Sequence, residues 1–144
     1  MIKLSDFRVY CEGLARLIGV DRLVMIVQEE HLKKKLRDDP GVILAVVYPS
    51  VVGNGSADNT RDSNTVLLFV LESTGKSSIT EEKEVACYER LQVMAGRIRD
   101  KIIGDSDEGI EPLTFLDRES IEIDPEWNIA GSFNGWSVTF SFED

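Results

Sequence analysis

His31 is the only histidine among 144 residues, and it sits in the charged stretch EEHLKKKL. With no second imidazole it cannot form the histidine pair of a zinc site, and a lone histidine in a charged helix reads as a surface residue. Cys11 and Cys87 are the only thiols. A nucleophilic cysteine needs a histidine nearby and an electropositive setting. Both cysteines fall instead on apolar stripes of helix-like segments, where a free thiol packs as a small hydrophobe. Asp105, Asp107 and Gly109 resemble the start of a calcium loop, but the position that should close it with an acid is Leu116. There is no G-x-x-x-x-G-K-[ST] phosphate loop, no G-x-G-x-x-G and no G-x-S-x-G elbow. Carboxylates are abundant, yet abundance does not single out an acid–base pair. The sequence therefore leads us to expect no catalytic residue, no cofactor and no metal, and hence a protein that is not an enzyme.

Charge narrows the partners. Asp and Glu total 26 against 16 Lys and Arg, a net charge of −10. Such a surface repels phosphate backbones as a whole, so direct nucleic-acid binding is not expected. The local exception is Lys33, Lys34, Lys35 and Arg37. Following Glu29 and Glu30, they read as a solvated helix end whose charges suit the helix dipole, with a partner-binding patch as the other reading. No apolar run approaches the roughly 20 residues that span a bilayer. The opening MIKLSDFRVYCEGL has no continuous apolar core, so neither a secretory signal nor a membrane partner is expected. With two cysteines and no disulfide framework, the expected location is inside a cell.

A length of 144 residues with 42% hydrophobic content suits one globular domain over 1–144. Phe7, Tyr10, Cys11, Leu14, Leu17 and Ile18 recur at helical spacing, with Ser5 as the expected cap and Gly19 as the stop. RLVMIV, residues 22 to 27, reads as a buried strand or extended segment, although so short a run leaves strand and helix both open. EEHLKKKLRDDPG, with Leu32 and Leu36 four apart, reads as a short helix ending at Pro40-Gly41. VILAVVYPSVV, 42 to 52, and TVLLFVLES, 65 to 73, read as paired strands; Pro49 should put the second half of the first at an edge. Between them GNGSADNTRDSN has no apolar side chain larger than alanine, and the expectation is a mobile loop over 53–64. Residues 80 to 103 predict the longest helix, capped by Thr80, stopped by Gly104, with Val85, Tyr88, Leu91, Ala95, Ile98 and Ile102 on its core face. GDSDEGIEP follows as a linker, and LTFLDRESIEID as a strand. The predicted fold class is α+β: an antiparallel or mixed sheet of about four to five strands, packed by a long helix and an N-terminal helix.

The chain finishes on DPEWNIAGSFNGWSVTFSFED. Asn-Gly is the strongest short hairpin signal, so Asn134-Gly135 predicts a two-residue turn that pairs Phe133 with Trp136 and Trp127 with Phe142. The competing reading makes only 136 to 143 a strand and leaves DPEWNIAGSFNG as an excursion. Under both, Trp136, Val138, Phe140 and Phe142 face the core. A partner is then expected at the strand's polar face, at an exposed sheet edge, or at the loop.

The order of elements, with VVYPS (47 to 51), LLFVLES (67 to 73) and DPEWNIAGSFNGWSVTFSF (124 to 142), resembles small phage tail-terminator and tail-completion (neck) proteins, and prophage-like proteins of the Bacteroides group. The resemblance covers most of the chain through short motifs. It implies a structural subunit that self-associates into a ring at a head–tail junction or tail end and contacts other tail or neck proteins. An alternative is an α+β protein-binding module without catalytic activity. The resemblance carries no catalytic residue. The candidate interaction residues are Asn54, Asp58, Arg61 and Asp62 in the loop, with Lys33, Lys34 and Lys35.

Overall fold

In an extended TVLLFVLES, Val66, Leu68 and Val70 point to one side while Leu67, Phe69 and Leu71 point to the other, so this strand has to be covered twice. The computed structural model describes residues 1–20, 22–36, 41–73 and 79–144, with the backbone alone at Asn54. Arg37 and Pro40, read above as part of the basic run and the helix stop, lie outside the described residues. The elements run α1 (Leu4–Ile18), β1 (Arg22–Ile26), α2 (Glu29–Lys35), β2 (Val42–Ser56), β3 (Asn59–Ser73), α3 (Glu81–Asp107), β4 (Phe115–Ile129) and β5 (Phe133–Glu143). Among the described residues one five-stranded sheet has the order β1-β2-β3-β5-β4. Only β1 and β2 are parallel, joined through α2, and every other pair is antiparallel, so the expected α+β class with a mixed sheet is what the chain adopts.

The rungs of this sheet explain its layers. Met25, Val46, Leu68, Val138 and Ile123 lie side by side across all five strands, apolar throughout. That face meets α1 and α3 through Phe7, Cys11, Leu14, Leu91, Ala95 and Ile98, and it holds Trp136, Val138, Phe140 and Phe142 as the sequence led us to expect. One residue along, the rung reads Val24, Ala45, Phe69, Ser137 and Asp124, grading from apolar at β1 to acidic at β4. Only its apolar half is roofed, by Leu32 and Leu36 of the α2 segment and by Ile129 and Phe133 of the β4–β5 turn.

Local signals hold at some ends and fail at others. Thr80 caps α3, its Oγ1 accepting the Lys83 N–H at 3.3 Å. Gly19 closes α1 in the left-handed conformation, with Val20 N–H bonded to Ala15 O at 3.0 Å. At the start of α1, Lys3 rather than Ser5 occupies the cap position and no side chain caps it. Gly104 does not stop α3, which runs one more turn to Asp107. That turn is held by Asp105, which is 2% exposed, and just past the helix Gly109 takes the left-handed conformation, with Ile110 N–H reaching Asp105 O at 2.8 Å. Val85 is 59% exposed, because burial on α3 begins only with Tyr88 and Leu91.

Two expectations are corrected. Residues 53–64 are not a loop: β2 and β3 stay paired from Val42–Glu72 out to Ser56–Asn59, with the reversal at Ala57-Asp58. Polar composition does not prevent a ladder, since the bonds are backbone bonds and the apolar halves of both strands already set the register. Asn134-Gly135 is not the final turn either. The chain reverses at 130–132, bringing Ile129 opposite Phe133 and Pro125 opposite Trp136. Gly135 is there for closeness: a Cβ on it would lie 1.9 Å from Val70 O in the neighbouring strand. Asn134 turns its side-chain oxygen to the Asn128 N–H at 2.7 Å. With the register moved, Trp127 does not meet Phe142 and is 72% exposed.

Phe140→Asp places a carboxylate without a partner in the face under α1 and α3, and the loss should match a total stability of about 5–15 kcal/mol. We expect it to abolish folding by circular dichroism, while Thr139→Asp, on the polar face, leaves the spectrum intact. Gly135→Ala should cost about 1–3 kcal/mol or more in urea unfolding through the Val70 clash. Gly53→Ala, whose Cβ would meet nothing nearer than 3.9 Å, is the matched control.

Candidate functional site

The residues with chemical potential are taken up by structure. His31 Nδ1 accepts the Val27 N–H at 3.3 Å and closes the turn into α2. Cys11 is buried and unpaired, and burial pushes its thiol up to about 12. Cys87 is half-buried; desolvation and the neighbouring Glu72 raise its thiol above the ordinary value. Neither has the depressed pKa of a reactive thiolate. Asp105 accepts the Tyr10 hydroxyl at 2.8 Å and the Lys101 ammonium at 2.7 Å, tying α1 to the last turn of α3. Asp107 pairs with Arg118. Among the described residues no three His, Cys, Asp or Glu side chains converge as a metal site.

The candidate interaction residues fall into two separated groups. Arg61 and Asp62 lie in the β2–β3 ladder opposite Asn54 and Gly53, with Asp58 in the exposed turn. The Asn54 side chain lies outside the described residues. Arg61 leans on the Phe115 ring, 5.9 Å from its centroid, and reaches Glu143 at 3.4 Å. Asp62 exchanges backbone bonds with Asp144 and accepts the Met1 amino group. Lys33, Lys34 and Lys35 are exposed on α2, beside β1 and the β4–β5 turn. Lys33 sits against Gly131, and Lys35 Nζ donates to Met25 O. The structure does not bring the lysines to the hairpin residues.

It brings together something the side chains did not announce. β1 covers β2 only as far as Val47, opposite Ile26. A bulge between Val47 and Ser50, at Pro49, then bends the strand, and β2 continues to Ser56 with β3 alone beside it. Pro49 was the one signal that this half lies at an edge. On its far side β5 covers β3 only down to Ser63, so among the described residues no third strand flanks the hairpin from Asn54–Arg61 to Ser56–Asn59. Beside the free edge lies a cavity of about 550 Å³, walled by Ile2, Leu4, Tyr48, Pro49 and Val51. It adjoins a second of about 560 Å³ over β1, which shares Leu4, Ser5 and Tyr48 and adds Arg8, Arg22 and Lys35. Arg22 already donates to Lys35 O at 3.1 Å, fastening the end of α2 to β1.

Comparison with known proteins finds no family model and no curated protein that matches the chain. No helix among the described residues is long and apolar enough to cross a membrane.

Tyr10 yields a test of the helix tie. Burial first, then its bond to Asp105, raises its phenol above the ordinary value of about 10. The neutral phenol therefore stabilises the fold fully below about pH 10, and this contribution is lost as pH rises further towards the folded-state value. Tyr10→Phe should cost about 1 kcal/mol at pH 7 and flatten the alkaline fall in urea-unfolding stability above pH 10. An unchanged alkaline slope would remove Tyr10 as its cause.

Proposed function

We propose that this chain is a non-enzymatic structural subunit of a phage or prophage tail or head–tail junction, acting by assembling with its own copies into a ring. The observation that carries this reading is the β2–β3 hairpin beyond the sheet. Among the described residues its outer part has no other strand beside it, and residues 55–60 are all exposed. A two-stranded ribbon of this kind is marginal in water, and an open edge invites pairing with another chain. A hairpin prolonged past its own core is therefore suited to contact something outside it. The element order that carried the resemblance supports the same reading in its N-terminal helix, paired strands, long helix and aromatic final strand, with a continuous hairpin where a loop was expected.

The protein-binding module stands as the second reading, because the cavities beside Tyr48 could hold a foreign segment equally well. The two separate on what the purified full chain does alone. Sedimentation and negative-stain electron microscopy over rising concentration should show closed rings. A particle that stays at the 16.1 kDa of one chain throughout would overturn the ring reading. Replacing residues 54–61 by a two-residue turn should leave the stability within about 1 kcal/mol, since nothing apolar is buried there, and should abolish the rings.

A further inference from the structure

β1 is an outer strand of the sheet, with β2 on one side and, among the described residues, no strand on the other. Along a strand, alternate residues send both N–H and C=O to the same side. On β1 the outward set is marked by its contacts, because Met25 O accepts the Lys35 ammonium and Val27 N–H donates to His31 Nδ1. Leu23 has the same parity and faces outward too. Its N–H and C=O, with the Met25 N–H, make a short open edge to which another strand can bond.

Along this edge runs the cavity of about 560 Å³, walled by four consecutive residues, 22 to 25, so it opens on the rim of the strand rather than over one face. The pleat sorts its walls. Leu23 and Met25 pack towards α1, and Leu4 and Tyr48 extend that side into an apolar hollow. Val24 packs towards α2, and on that side lie Arg22 and Lys35, joined where Arg22 donates to Lys35 O at 3.1 Å. Arg8 stands at the α1 rim, shared with Glu12 at 3.4 Å. No carboxylate is among the described walls, although acids outnumber bases 26 to 16 in the chain. Cations on an edge discourage neutral and basic strands and leave acidic ones admissible.

We propose that the β1 edge binds an extended acidic segment of a partner protein as an added strand. Alternate apolar residues of that segment enter the hollow of Leu4, Leu23 and Tyr48, while the acids between them lie on the other face, beside Arg22 and Lys35. Backbone bonds to Leu23 and Met25 hold the segment, and the alternation of acid and apolar side chains selects it. The inference goes beyond the ring reading and does not depend on it, because β1 pairs β2 only as far as Val47 and the free β2 edge lies past that point.

Blocked peptides of about seven residues test it on the full-length chain. One alternates glutamate with valine, a second has the same composition with its glutamates grouped at one end, and a third alternates lysine with valine. Fluorescence anisotropy should show the first binding about tenfold or more tightly than the other two, and more weakly as salt rises. Amide exchange followed by NMR should slow at Leu23 and Met25 on binding. Lys35→Gln should weaken the first peptide about two- to fivefold, and Leu4→Glu, which sets a carboxylate in the apolar hollow, about tenfold or more. Both side chains are exposed, and circular dichroism should show both variants folded. Equal affinity for the grouped peptide, or binding that leaves Leu23 and Met25 exchanging as before, would overturn the added strand. A lysine peptide that binds as tightly would overturn the acidic partner. Unchanged affinity in both variants would overturn this location, and no binding of the first peptide up to millimolar concentration would overturn the proposal outright.

Discussion

Burial of both faces of β3 is the constraint on which the rest of the structure depends. Val66, Leu68 and Val70 are fully buried on one side, Phe69 and Leu71 on the other, so the strand must lie inside the sheet with cover above and below. α1 and α3 supply one cover; α2 and the β4–β5 turn supply the other. Register follows from the same requirement, because a slip of one residue would exchange the faces of every neighbour. Gly135 lets β5 approach Val70 closely enough to complete the arrangement.

The cover is shorter than the strands. Fifteen-residue strands rise to about 50 Å, well beyond a seven-residue α2 of about 10 Å. Where the cover ends, the residues change character. On the face opposite α1 and α3 the rung passes from Val24 and Ala45 to Ser137 and Asp124. Along β2 full burial ends at Val46, ahead of Pro49 and the bulge, and beyond the bulge lies the uncharged edge. Among the described residues no buried side-chain nitrogen or oxygen lacks a hydrogen-bond partner. Asn64 receives the Ile2 N–H and donates to Asp144 and Phe142 O, so it seats the first residues against the last strand. Trp136 donates to Tyr88 O while the Tyr88 hydroxyl donates to Glu126 O, which locks α3 onto β5 and β4.

What was legible in the sequence was whatever depends on periodicity. The stripes of α1 and α3, the two-sided β3 and the alternation of Trp136, Val138, Phe140 and Phe142 all carry their structural reason in their spacing. What was not legible depends on neighbours distant in the chain. Gly135 reads as a turn residue until Val70 is placed beside it. GNGSADNTRDSN reads as a loop because pairing of polar strands leaves no pattern in side chains. Gly104 reads as a stop until Asp105 is seen buried between Tyr10 and Lys101. The interaction residues proposed from charge, Lys33 to Lys35 and the hairpin polar residues, marked two surfaces. The free edge between Pro49 and Ser56 left only one trace, the proline.

Hydrogen exchange of the backbone amides, followed from dilute to concentrated protein, tests the central claim most directly. The account predicts that residues 50–56 slow as assembly proceeds, while the buried amides of 66–71 keep the same protection. Assembly that slows exchange elsewhere and leaves 50–56 exchanging as fast as in the monomer would contradict it.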